Sequence, residues 1–195
     1  MVGTRKFDET ALADQLVRAF WKHGYRTATL TTLAQATGVL RGSLYNAYRS
    51  KERLMLMALE RYSIEQRGPV IEALARPDIR EAIEGYFDAH VARMANDKNP
   101  TGCLICQTTL ECGEADGPIN DHIRAHHKRS EAALTERFER AITEGDLVSN
   151  YEANELAIYF LGVSRGMAVI HRAYGDIDPV RTMARAAMET LNRTE

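Results

Sequence analysis

Apolar residues recur along this chain at the three- and four-residue spacing of a helix face. Leu12, Leu16, Ala19 and Phe20 make a first stripe that runs to His23. Asp8, Glu9 and Thr10 supply caps and negative charge where a helix start needs them, and Gly24 supplies the stop. Leu30, Leu33 and Ala34 make a second stripe, broken at Gly38, and Leu44, Ala47 and Tyr48 make a third. Two short helices about a glycine-centred turn are the plan of a helix-turn-helix. Ser50 is a good N-cap for the next helix, whose stripe of Leu54, Met57, Ala58 and Tyr62 reaches Gln66 before Gly68 and Pro69 end it.

After a short helical piece to Ala75, Pro77 and Asp78 open a helix striped by Ile79, Ile83, Tyr86, Phe87, His90 and Met94. Asn96 to Thr101 is a polar loop, with Pro100 and Gly102 as breakers. Gly117 and Pro118 start a long helix to about Glu144, with Ile119, Ile123, Leu134, Phe138, Ala141 and Ile142 on its stripe and His127 and Ser130 at inward positions between them. Polar residues that interrupt an apolar stripe mark a pocket wall or a buried hydrogen bond, a plain surface turn being the alternative. The last two helices, Tyr151–Tyr174 and Asp178–Arg193, carry Leu156, Phe160, Val163, Met167 and Ile170, then Val180, Ala184, Ala187 and Leu191, at alternating steps of four and three. Such stripes belong to packed helix pairs, and Gly162 and Gly166 permit close approach. Leu156, Phe160, Val163, Met167, Val180, Ala184, Ala187 and Leu191 are therefore the candidate dimer interface. Burial of part of both stripes within one subunit is the alternative. The fold class is all-α.

Composition adds bounds rather than detail. A chain of 195 residues with a 45% hydrophobic and 27% charged share buries a real core and is not disordered. No apolar run approaches a membrane span, and the opening MVGTRKFDET lacks the apolar segment of a signal peptide, so a cytoplasmic chain with no membrane partner is expected. In that reducing compartment the three cysteines are free thiols rather than a disulfide framework. The net charge of −2 conceals an asymmetry. Residues 1–54 hold nine Lys/Arg against four Asp/Glu, and residues 55–195 hold sixteen against twenty-three. A basic head on an acidic body suits contact with a polyanion through one end only.

That head holds the groups which read DNA. With Leu44, Ala47 and Tyr48 inward, Arg41, Ser43, Tyr45 and Asn46 face out. Arginine pairs with guanine edges, asparagine with adenine, and hydroxyls with phosphates. Gly42 lets the backbone approach a duplex, and Lys51 in the first turn of its helix needs an anion beside it, a role a phosphate fills. Arg5 and Lys6 form a short basic arm, read equally as a solvated terminus.

The run from Phe20 to Leu54, above all GSLYNAYRSKERL with Gly24-Tyr25 before it and a threonine-rich second helix start, resembles the DNA-binding domain of the TetR family of bacterial repressors. The resemblance implies an all-helical homodimer on a palindromic double-stranded DNA operator, released by a ligand or a modification. Residues 1–54 would be a three-helix helix-turn-helix domain and residues 55–195 a helical ligand-binding and dimerisation domain. Thr29, Thr31, Tyr45 and Lys51 would contact phosphates, and Arg41, Ser43 and Asn46 would lie nearest the bases. Leu40 departs from the usual capping serine, and Arg49 from the usual Pro or Gly, adding a further candidate phosphate contact.

TGCLICQTTLECG resembles a Gly-Cys-Leu segment, closed by a Glu, in one branch of that family, some of whose members sense electrophiles or oxidants through cysteine. Cys103 and Cys106 share a helix face, and a thiol at a helix N-terminus ionises more readily. Burial of both as small hydrophobes is the alternative. Tyr86, His90, Met94, Cys103, Cys106, His127 and Ser130 are the candidate pocket or sensor residues. The expected effector is a small-molecule inducer of unidentified structure, with thiol modification as the competing trigger. No ordered Cys/His/Asp set, phosphate loop or strong metal motif is present, so neither an enzyme nor a cofactor nor a metal is expected.

Overall fold

The computed structural model describes residues 8–112 and 117–192, and Arg5, Lys6 and the expected helix end at Arg193 lie outside them. Nine α-helices and one 3-10 turn are found among the described residues: α1 (Glu9–His23), α2 (Leu30–Thr37), α3 (Arg41–Tyr48), α4 (Lys51–Leu74), α5 (Ile79–Ala95), α6 (Leu104–Cys112), α7 (Pro118–Glu144), α8 (Ala153–Tyr174) and α9 (Asp178–Met188), then Glu189–Asn192. Their ends follow local chemistry. Asp8 caps α1 through the amides of Thr10 and Ala11, Asp78 caps α5 through Glu81, and Ser50 caps α4 through Arg53. Gly38, Gly145 and Gly175 close α2, α7 and α8 in the left-handed region.

The last helices differ from expectation in that α8 starts at Ala153 and α9 gives way to a 3-10 turn after Met188, but the largest departure is in α4. α4 does not stop at Gly68-Pro69 but carries Pro69 in its interior and absorbs the piece to Leu74. A helix-interior proline costs roughly 3 kcal/mol. Here α4 packs on α1, α5 and α7, and Leu54, Met55, Ala58, Leu59 and Tyr62 are all buried along it. Tertiary burial of that order outweighs one missing hydrogen bond. α4 is thus the spine of the molecule. α1–α3 stand against its first half, and α5 to α9 gather about the rest, with α7 and α8 packed together and α9 against α8 and α5.

A single hydrophobic cluster runs from Leu12 to Met188 with no break at residue 54. The inward stripes of α1 and α5 are buried as expected, whereas Ile142 of α7 and Ala47 of α3 are exposed. The stripes assigned to a dimer interface need correction. Phe160, Met167 and Val180 have no exposed surface, and Leu156 and Ala187 are buried as well. Gly166 meets Met183 of α9 within the same chain. Val163, Ala184 and Leu191 are half-buried against this core. The alternating spacing reports α8 packing on α7, α9 and α5 inside one subunit. The outward face of α8 is a different set, Ile158, Tyr159, Gly162 and Val169, with Ile158 54% and Val169 50% exposed.

Candidate DNA-reading face and effector site

α2 and α3 meet at Gly38, and their outward positions form one surface. Arg41, Gly42, Tyr45, Asn46 and Arg49 are exposed, Ser43 is half-buried, and Thr31 is exposed on α2. Thr29 caps α2 through its hydroxyl, which accepts the Thr32 amide at 3.1 Å. Leu40 occupies the N-cap of α3 with no side-chain hydrogen bond and is 74% exposed. The first amides of α3 are left without a side-chain partner, beside an apolar side chain. Arg49 closes α3 at φ 62°, the one non-glycine left-handed residue among those described, its amide donating to the Tyr45 carbonyl at 2.8 Å.

Lys51 has partners within the chain itself. Its ammonium donates to the carbonyls of Tyr25, Ala28 and Arg26 at 2.8, 3.1 and 3.3 Å, and stands 4.6 Å from the Tyr25 ring centroid. An ammonium has three donors, and all three are spent on the α1–α2 turn. Three neutral carbonyl dipoles thus ease the cation at the start of α4.

The other side of the same turn is held from the body. Glu111, in the last turn of α6, accepts the Arg26 amide at 2.9 Å and the Gln107 side-chain amide at 3.2 Å. Gly24 lies at φ 79°, a backbone shape that favours glycine, and a Cβ there would also displace the Glu111 carboxylate. Further ties join α1 to the body. Asp14 pairs with Arg61, and the buried Trp21 donates its indole N–H to the Thr101 carbonyl at 3.1 Å.

Cys103 sits at the other end of α6, directly before Leu104 and roughly 12 Å from Glu111 along the helix. Arg93 donates to the Tyr62 hydroxyl at 2.8 Å, the Leu104 amide donates to the same oxygen at 3.3 Å, and Tyr62 donates to Cys103 Sγ at 3.2 Å. Cys106 also hydrogen-bonds Cys103, and this contact does most to hold the Cys103 thiol well below its ordinary range. Burial opposes it, and the charges of Arg93 and Arg165 with the Tyr62 hydroxyl complete the lowering. Cys106 is pushed the other way, by that same hydrogen bond first and by burial next. Within the pair, Cys103 is held toward ionisation and Cys106 away from it.

A cavity of about 250 Å³ opens between α4, α5, α7 and α8. Tyr86, His90 and Ser130, expected here, line it. Met94 does not; it is core. Nor does His127, which turns toward α6 and bonds Thr109 at 3.1 Å, while its neighbour His126 points in and meets Ser63 at 3.2 Å. Arg165, unmarked by periodicity because it lies between apolar positions of α8, also lines the cavity. Tyr62, Arg93 and Glu111 escaped a reading of single helices because their partners lie on other elements. Among the described residues no cluster of His, Cys, Asp and Glu fits a metal.

Burial, then the charges of Arg165, His127, Arg129 and His122, bring His126 down to about 3. Burial first, then Arg93, Arg165 and His126, hold His90 well below its ordinary 6.5. The unfolded chain therefore takes up these protons before the folded one does. Stability is complete above about pH 6.5 and falls as the pH drops toward 3, by up to about 1.4 kcal/mol per pH unit for each histidine. Urea midpoints recorded from neutrality downward should fall steeply below about pH 6 and less steeply for His126→Gln; a flat profile would count against buried neutral histidines. Lys51→Met should lower the thermal midpoint by an amount equivalent to about 1.5–3 kcal/mol, the worth of hydrogen bonds from a charged donor. An unchanged midpoint would show that the carbonyl ring contributes nothing.

Two family models match this chain. One, described as "Tetracyclin repressor-like, C-terminal domain", covers residues 80–187, and the other, "Bacterial regulatory proteins, tetR family", covers residues 12–58. The HTH-type transcriptional repressor ComR of Escherichia coli (strain K12) is 24% identical over 181 residues, 91% of this chain and 86% of that protein. Among solved structures, a cysteine-substituted form of the TetR family transcriptional regulator CifR, complexed with 26-base-pair double-strand operator DNA, matches with a TM-score of 0.84. It is 28% identical, over 97% of this chain and 99% of that one. Reduced NemR of E. coli shares the fold, with a TM-score of 0.80 at 18% identity over 93% of this chain and 95% of its own. No helix among the described residues is long and apolar enough to cross a membrane. With its exposed helix-turn-helix face and family matches over both parts, the chain belongs to the TetR family and is a DNA-binding transcriptional regulator.

Proposed function

We propose that the protein is a cytoplasmic homodimeric repressor that holds a palindromic operator and lets go when an effector disturbs α6. Residues 1–54 do the reading and residues 55–195 the pairing and sensing. The observation that carries this is the double hold on the α1–α2 turn. Lys51 grips its carbonyls from α4 and Glu111 its amide from α6, so the angle of the reading face is set by the body. An operator-bound CifR at 28% identity supports the same use of the face. Arg41, Ser43 and Asn46 are the base-reading set, with Leu40 beside them offering an apolar contact to a thymine methyl. Thr29, Thr31, Tyr45 and Arg49 serve the phosphates, and Lys51 passes from contact to scaffold. The second copy docks on the exposed α8 face of Ile158, Tyr159, Gly162 and Val169, which sets two half-sites about one DNA turn or a multiple apart.

The test is titration of the chain's own promoter fragment at rising salt. Affinity should fall roughly 10³-fold or more between low and moderate salt. Arg41→Ala should cost about 1–3 kcal/mol on the preferred site and relax base preference. Equal affinity for every sequence at every salt would end the proposal.

The small-molecule inducer has a rival in thiol chemistry, favoured by the Arg93–Tyr62–Cys103 chain. With N-ethylmaleimide the Cys103 sulfur adds to a ring carbon, the adjacent carbon takes a proton, and a neutral thioether replaces the thiolate. Arg93 and Arg165 then lose their counter-charge, α6 shifts, and Glu111 leaves the turn. Operator release should follow in the native protein and fail in Cys103→Ser. Release unchanged in both Cys103→Ser and Cys106→Ser would rule this trigger out.

A further inference from the structure

The cavity between α4, α5, α7 and α8 is lined by Arg67, Arg129 and Arg165 and by no aspartate or glutamate. Arg67 and Arg129 are exposed, and water serves them. Arg165 is in a different position. Its Nη2 reaches the Ser130 hydroxyl at 3.4 Å, it pairs with no carboxylate among the described residues, and its Nε is buried without a hydrogen-bond partner. The side-chain nitrogen of Gln66, on the same wall, is likewise buried without a partner. Both orphaned atoms are donors, so the group that satisfies them is an acceptor. A guanidinium short of a carboxylate prefers an acceptor that is planar and charged.

We propose that this cavity binds a small organic acid, its carboxylate on Arg165 and its apolar body against Tyr86, Val70, Ile71 and Ala133. A cavity of about 250 Å³ is a fit for a ring and its carboxylate, since roughly 150 Å³ suffices for benzene. His90 and His126 favour the same ligand. Surrounded by arginines and kept neutral, each has one N–H to donate and adds no charge that would need its own partner. Arg165 also contributes to holding Cys103 ionised, so an anion that claims Arg165 weakens its support of the thiolate. Occupancy of the cavity and reactivity of Cys103 are then linked through one side chain, and by linkage each opposes the other.

This inference rests on the reading of the chain as an effector-released repressor, so binding and release are scored separately. The full-length protein is titrated by calorimetry and thermal melting with three matched pairs: benzoate and benzamide, phenylacetate and phenylacetamide, 3-phenylpropionate and its amide. At least one carboxylate should bind roughly tenfold or more tighter than its amide, the amide lacking the charge that Arg165 selects. The preference should vanish in Arg165→Met and persist in part in Arg165→Lys, with the helical circular dichroism and cooperative melting of each variant reporting that it is folded. The bound carboxylate should also slow alkylation of Cys103 by N-ethylmaleimide. If no carboxylate among the three outcompetes its amide in the native protein, the inference is wrong, and no variant is needed to say so. If a carboxylate binds through Arg165 but the operator stays bound, the site stands and the release reading fails.

Discussion

The α1–α2 turn is the point through which this molecule is organised. Gly24 to Ala28 is a short connection, buried at both ends and exposed at Arg26 and Thr27, whose backbone would ordinarily look to water for partners. Instead an ammonium from α4 satisfies three of its carbonyls, and a carboxylate from α6 satisfies the amide of Arg26. Charged partners make stronger hydrogen bonds than neutral ones, and opposite charges on opposite sides of one turn fix its orientation as well as its position. The reading face is built directly on that turn. Its angle relative to α4 is therefore decided by two side chains, Lys51 at the start of α4 and Glu111 from α6 of the body.

The body supplies a means of disturbing that hold. α6 carries a thiol at its first end and the gripping carboxylate at its last, roughly 12 Å apart on a rigid element. Around the thiol, Arg93 and Arg165 form no ion pair with a carboxylate among the described residues, and burial, helped by arginine charge, favours the neutral form of His90 and His126. An uncompensated positive field inside a protein is costly, and it is relieved by whatever negative charge can reach it. The Cys103 thiolate is one such charge, and an anion in the adjoining cavity is another. Both would act on the Arg165 guanidinium, which is why the proposed modification of the thiol and occupation of the cavity belong to one device rather than two.

The chain by itself determined its helices and their ends. Caps, glycine stops and the three- and four-residue spacing act over a turn or less, so Asp8, Ser50, Asp78, Gly38 and Gly145 mark boundaries that the structure keeps. Of the outward set Arg41, Ser43, Tyr45 and Asn46, all but the half-buried Ser43 are exposed, since the direction of a side chain on a short helix follows from its neighbours. Tertiary structure decided what lies on the far side of each stripe. Periodicity shows that Phe160 and Met167 are covered, not by what, and the answer is α7, α9 and α5 of the same chain. It shows that Pro69 is unfavourable in a helix, not that α1, α5 and α7 press on α4 strongly enough to keep it there. It places Lys51 beside a helix N-terminus, yet its partners lie more than twenty residues earlier. The proposed sensing site is the extreme case, since Tyr62, Arg93, Cys103 and Arg165 come from four separate elements. Charge and hydrogen bonding act through space, and only the packing of the helices brings those groups within reach of one another.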